Sequence, residues 1–211
     1  MGLRYLDMAA FRATPRASEP FEYLVVPGFV RTDACARINA DYPKISERGS
    51  FPVAQLAFGP AFQEFLDELG SDEFRTAFEE KFAIDLTGRP STITVRGQCS
   101  PKDGQIHTDS LSKIITVLIY MNPSWEESGG RLRLLRSGDD LDDVITEVTQ
   151  LNWIARRVPL NGLCPCQELS ARLKASSVPS LGGTSVITSS RSSPERSRRR
   201  RPPDSSQLGF M

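Results

Sequence analysis

The chain contains a single histidine, His107, set in Gly104-Gln105-Ile106-His107-Thr108-Asp109-Ser110, just ahead of a strongly apolar run. In an extended segment residues i and i+2 project to the same side, so the His107 imidazole and the Asp109 carboxylate are expected together, as two ligands of one metal would be. Two imidazoles and one carboxylate on one face, with open positions opposite, form the triad that holds non-haem Fe(II) and admits O2 and a co-substrate. His-x-Asp is two-thirds of that triad. Spacing alone leaves open the alternative of a surface histidine beside an acid. Counting excludes other chemistries: one histidine cannot build an H-E-x-x-H zinc site or a two-cysteine, two-histidine finger. The four cysteines (Cys35, Cys99, Cys164 and Cys166) include no C-x-x-C pair, and Cys164-Pro165-Cys166 is too tight for a routine disulfide or half a tetrahedral zinc site. They read as reduced thiols.

The elements that must position this motif are legible as changes of period. Tyr23-Leu24-Val25-Val26 before Pro27-Gly28 reads as a short strand closed by a turn, and Thr32 offers an N-cap for a helix that buries Cys35 and Ile38. From Pro60, the residues Phe62, Phe65, Leu66 and Leu69 recur at helical spacing until Gly70; Ser71 then caps a second helix that buries Phe74, Ala77, Phe78 and Phe82. Past Arg89-Pro90 the period falls to two, with Ile93 and Val95 alternating against Thr92, Thr94 and Arg96. Lys113 to Asn122 is nearly all apolar and is expected in mid-sheet, buried on both faces, while Leu132 and Leu134 alternate with Arg131 and Arg133 in a half-exposed strand. Helices first and antiparallel strands after predict an α+β domain with a sandwich or double-stranded β-helix core.

At 211 residues and 23.4 kDa the chain has room for one domain and a tail. Hydrophobic residues at 39%, with eleven Phe, suffice for a core despite a mean hydropathy of -0.30, which excludes wholesale disorder. Lys+Arg and Asp+Glu balance at 26 each, so the chain as a whole has no excess charge with which to grip nucleic acid. The charge is unevenly spread: residues 191–211 carry six Arg against Glu195 and Asp204, a surplus of four positive charges that the rest of the chain must cancel. Residues 176–211 hold eleven Ser, six Arg and four Pro, a composition that cannot bury enough apolar surface to offset its ordering entropy. The expected division is therefore an ordered domain over 1–175, with its metal-motif core at 91–141, and a disordered tail over 176–211 relieved only by a short strand at Ser185-Val186-Ile187-Thr188. The longest apolar run, Ile114 to Met121, falls well short of the roughly 20 residues a bilayer span needs. With no readable secretory signal either, a cytoplasmic protein without membrane contact is expected.

Residues 96–141 closely resemble the core of the 2-oxoglutarate and Fe(II)-dependent oxygenases of the prolyl 4-hydroxylase type. The family pattern of H-x-D, a strand ending L-I-Y-L-N, an acidic turn with Trp and then G-G-x-L-x-L has its counterparts here. They are His107-Thr108-Asp109, Leu118-Ile119-Tyr120-Met121-Asn122, Trp125-Glu126-Glu127 and Gly129-Gly130-Arg131-Leu132-Arg133-Leu134. The resemblance implies a double-stranded β-helix (jelly-roll or cupin-like) core preceded by helices. It implies Fe(II) as metal, 2-oxoglutarate as co-substrate and L-ascorbate as a further candidate. His107 and Asp109 would be two of the three iron ligands. Tyr120 would help hold 2-oxoglutarate, or be a core tyrosine bonded to a nearby carbonyl. The activity implied is hydroxylation of a substrate, protein or small molecule, with prolyl residues as one candidate target.

The chain departs from the family where the second half of the site should lie. The family's distal His has no counterpart, because His107 is the only histidine. Gln150-Leu151-Asn152-Trp153-Ile154 resembles the strand expected after the distal His, Leu169 to Lys174 the usual C-terminal helix, and Val178 to Thr184 a segment that should come earlier. The C-terminal strands of the core are thus expected to be incomplete. A metal held by His107 and Asp109 alone is expected to bind weakly, with no 2-oxoglutarate decarboxylation above background. The competing expectation is a non-catalytic, degenerate relative that acts as a binding or scaffold protein. Its tail, with Arg198 to Arg201, would offer at most weak contact with nucleic acid.

Overall fold

The computed structural model describes residues 2–96, 106–107, 113–122, 132–136, 140, 142–148, 152–157, 168–170 and 185–191, with the backbone alone at 106–107, 152–157, 168–170 and 185–191. Four helices, α1 (Met8–Ala13), α2 (Thr32–Ala40), α3 (Pro60–Leu69) and α4 (Asp72–Phe82), occupy the first part of the chain together with strand β1 (Tyr23–Pro27) and the short β2 (Phe51–Pro52). Strands follow: β3 (Ser91–Arg96), β4 (Ile106–His107), β5 (Lys113–Tyr120), β6 (Leu132–Leu135), β7 (Val144–Val148), β8 (Asn152–Arg157), β9 (Glu168–Ser170) and β10 (Ser185–Arg191). They form two antiparallel sheets, one in the order β1-β8-β5-β10-β3-β2 and the other β4-β9-β6-β7.

The expected helix and strand starts are largely met. Proline opens α3 at the position where its missing N–H costs nothing, and the Ser71 hydroxyl accepts from the Phe74 amide at 3.2 Å to cap α4. One expected cap is displaced. Arg31, with extended backbone and no side-chain capping bond, precedes α2, and Thr32 is already its first helical residue. The N-terminal segment is held by one carboxylate: Glu68 of α3 accepts the backbone N–H groups of Tyr5, at 2.9 Å, and Leu6, at 3.1 Å. Asp7 then caps α1 by accepting from the Ala10 amide.

The phenylalanine stripes are core. Phe78 stacks on Phe11 at 4.9 Å between ring centroids and lies 4.6 Å from Phe74, while Phe62 meets Tyr42 edge-on at 5.0 Å. These rings, with Leu24 and Val26 of β1 and Val95 of β3, form one continuous cluster between the helices and the six-stranded sheet.

Two expectations about the C-terminal part change. Leu169 and Ser170, expected at the start of a helix, belong instead to strand β9, both of whose edges are engaged, by β4 and by β6. The short strand expected at 185–188 runs on to Arg191 and lies between β3 and β5 in mid-sheet. Residues 171–184 and 192–211, including the boundary at 175 and Arg198 to Arg201, lie outside the described residues, as do Cys99, Cys164 and Cys166. Among the described residues no helix is long and apolar enough to cross a membrane.

Replacing Phe78, 1% exposed, by Ala is expected to cost about 3–5 kcal/mol in urea unfolding, as deletion of a fully packed ring does. Alkali should also weaken the fold. Burial, reinforced by Asp33, pushes the Cys35 thiol above its ordinary 9.0; burial and the hydrogen bond to Glu64 push the Tyr5 hydroxyl above its ordinary 10.0. Both groups ionise more readily in the unfolded chain, so their contribution is complete below pH 9 and is lost as pH rises through the folded values. The urea midpoint should therefore hold steady from pH 7 to 8.5 and fall above about pH 9, and Cys35→Ala should flatten the first part of that fall.

Candidate functional site

Strand β5 carries the boundary between two cores. Its odd-numbered residues Ile115, Val117 and Ile119, continued by Met121, are buried in the helix-side cluster. The even-numbered Leu118 and Tyr120 face the other way and pack against a second cluster built from Phe21, Leu132, Leu134 and Val148, so that side chains of both sheets meet there. A near-continuous apolar strand is what this arrangement requires, since alternation would have left one face polar. Thr116 is the polar exception, buried at 4% exposure and engaged with a partner. Just past β5, Asn39 of α2 donates to the Met121 carbonyl at 2.8 Å and pins the strand's exit to the helices. The carbonyl oxygen of the same side chain is buried and has no hydrogen-bond partner among the described residues.

His107 lies on β4, at the edge of the four-stranded sheet. Register fixes its neighbours in the backbone: His107 pairs with Glu168, Glu168 pairs with Leu134, and Leu134 pairs with Thr146. These four stand in one row across the sheet. Leu134 is buried in the second cluster, so the row belongs to the face that the six-stranded sheet covers. Tyr120 stands on the opposing sheet and packs on that same cluster. Asp109, Trp125, Gly129, Gly130 and Arg131 lie outside the described residues. Of the expected site residues, then, His107 and Tyr120 are brought to facing sheets.

One residue of the row escaped the sequence analysis. Glu168 is sixty-one positions from His107 in the chain and becomes its direct neighbour through strand pairing alone. No local motif marks it. As donors, the imidazole of His107 and a carboxylate suit a divalent first-row cation that takes nitrogen and oxygen, so the residue types present fit Fe(II). Among the described residues no group of three His, Cys, Asp or Glu is gathered as a metal cluster. A cleft lined by Phe74, Arg75, Leu86, Arg89, Ile93 and Ile115 lies on the helix side of β5, away from Tyr120.

No protein-family model matches the chain, and no curated protein matches it. Solved structures similar to it include a prolyl 4-hydroxylase of Pseudomonas putida, 17% identical with a TM-score of 0.43, over 80% of this chain and 91% of that one. A 2OG-Fe(II) oxygenase family oxidoreductase of Burkholderia pseudomallei is 15% identical with a TM-score of 0.47, over 90% and 93%. A prolyl hydroxylase of Trichoplax adhaerens is 12% identical with a TM-score of 0.49, over 80% and 83%. At these scores and identities the likeness fixes neither the site nor the activity.

The meeting of the two sheets can be tested through Leu134, 1% exposed at their junction. Leu134→Ala should cost about 2–5 kcal/mol in urea unfolding. A change under about 0.5 kcal/mol, the range of ordinary surface substitutions, would mean that this junction is not packed.

Proposed function

We propose that the chain is a 2-oxoglutarate and Fe(II)-dependent dioxygenase-family protein, a hydroxylase by class, on a double-stranded β-helix core. One observation carries the reading. His107, the first residue of the H-x-D motif, lies on a strand of the smaller sheet, in a backbone row that includes Leu134 of the cluster on which Tyr120 packs, and this supports reading motif and tyrosine as parts of one site. In this reading His107 and Asp109 hold the metal, and Tyr120 is directed toward the acid co-substrate. Iron and 2-oxoglutarate would supply the activation of O2 for hydroxylation of a C–H bond, with succinate and CO2 as co-products. The chain's own part is narrower. The neutral imidazole offers one nitrogen and Asp109 one carboxylate, while the apolar walls formed by Leu118, Leu132, Leu134 and Val148 keep bulk water from the reacting centre. The substrate class proposed is a protein or small molecule, with prolyl residues as the first candidate. L-ascorbate is a candidate reductant, and a cytoplasmic location is proposed on the sequence alone.

A second reading rests on the single histidine. With only two motif ligands the chain would be a non-catalytic relative, a binding or scaffold protein that holds iron weakly. Turnover separates the two. On the first reading the chain supplied with Fe(II), ascorbate and 2-oxoglutarate labelled at its first carbon releases CO2 and succinate in equal amounts, and His107→Ala and Asp109→Ala each bring release to background; on the expectation from two motif ligands alone, the parent chain is itself at background. Parent release no faster than that of His107→Ala would leave the second reading standing. Tyr120→Phe should raise the 2-oxoglutarate concentration needed for half-maximal release more than it lowers the maximal rate, because a hydroxyl that holds the co-substrate acts on binding.

A further inference from the structure

On the helix side of β5 the packing is left open at one place. The cleft between α4 and the strands β3 and β5 holds about 100 Å³, whereas a packed interior has few voids larger than a water molecule. Val95, Ile93 and Ser91 share one side of β3, so the apolar row of that strand ends in a serine, and the space opens where the row ends. Its lining is graded. Phe74, Phe78, Leu86 and Ile115 are buried, while Arg89 and Ser91 are exposed, so the cleft runs from a polar mouth to an apolar floor. Both charged residues of the lining are arginines. Arg75 is held on its own helix by Asp72 at 2.8 Å and Glu79 at 3.3 Å. The Arg89 guanidinium has no hydrogen bond or ion pair among the described residues. Asp85, an acid that its charge reaches, has its carboxylate engaged by the Thr87 amide at 2.9 Å.

We propose that this cleft binds a small monocarboxylic acid with one ring or a short apolar chain, its carboxylate on Arg89 and its apolar part against Phe74, Phe78 and Ile115. An apolar interior with a few polar groups that fix orientation is the usual form of a small-molecule site. A closed apolar cavity of about 150 Å³ admits benzene whole, so this smaller, open cleft suits a single ring or a few carbons. The planar guanidinium of Arg89 can take a carboxylate through two parallel N–H···O bonds. A cationic ligand would instead meet two arginines at the mouth, and a dicarboxylate would bury its second charge on the apolar floor at a desolvation cost. The cleft shares no lining residue with the candidate iron site, so neither reading rests on the other. The competing account is a packing defect that takes no ligand.

Phenylacetate and 2-phenylethanol share a ring and a length and differ in charge, so the pair reads the two ends of the cleft separately. Titrated into the full chain and followed by broadening of the ligand's proton resonances, phenylacetate should bind about tenfold or more tightly than the alcohol, as a hydrogen bond to a charged group does. Arg89→Gln should bring phenylacetate down to the affinity of the alcohol and leave the alcohol unchanged. Ile93→Phe, which fills the cleft from β3, should remove both with an unchanged far-ultraviolet spectrum. Equal affinity for acid and alcohol in the parent, or parent-like phenylacetate binding in Arg89→Gln, overturns the proposal. A parent chain that binds no phenylacetate overturns it too and leaves the cleft a packing defect. Retained binding in a folded Ile93→Phe chain puts the ligand elsewhere and overturns the site. Should Ile93→Phe fail to fold, Arg89→Gln decides, because its side chain is exposed and unpaired among the described residues.

Discussion

The structure depends on one strand with no polar side. β5 must be covered on both faces, and each cover has its own chemistry: phenylalanine-rich helices on one side, a second, smaller sheet on the other. The helix-side cluster holds most of the large buried rings, so it is the mass of the fold. The opposite cluster is smaller, built from Phe21, Leu132, Leu134 and Val148 with Tyr23 and Tyr120 among the residues packed against it.

What the sequence made legible follows from how locally each element is determined. The helices α3 and α4 announce themselves through Phe62, Phe65, Phe74 and Phe78 at helical spacing, with Pro60 and Ser71 at their starts, and β5 through an apolar run too short for a buried helix. The motif residue His107 was legible for the same reason, as a short-range pattern. β9 was not. A three-residue segment has too little internal pattern to choose strand over helix, and its two pairing partners make the choice. Glu168 was illegible with it, because register between segments sixty-one positions apart is a property of the assembled sheet.

Glu68 shows the same economy at the other end of the chain. One carboxylate on α3 gathers the amides of Tyr5 and Leu6, and Glu64, one turn earlier, takes the Tyr5 hydroxyl, so an N-terminal segment that pairs with the chain through the single Leu6–Val30 bridge has these donors satisfied. Lys81 closes α1 in a complementary way, donating to the Arg12 carbonyl at 2.7 Å and the Thr14 carbonyl at 2.9 Å. Both acids and Lys81 are helix residues whose side chains order a neighbouring segment.

The position of β10 bears on how the chain is made. β3 and β5 do not touch as neighbours; the strand between them is synthesised some seventy residues after β5 begins. During translation the two therefore wait with open edges, each a template for a foreign strand, until Ser185 to Arg191 leave the ribosome and close the sheet. A chain arrested before residue 185 would carry its helices, its motif and most of its apolar mass, and still present two unpaired edges flanking an empty slot.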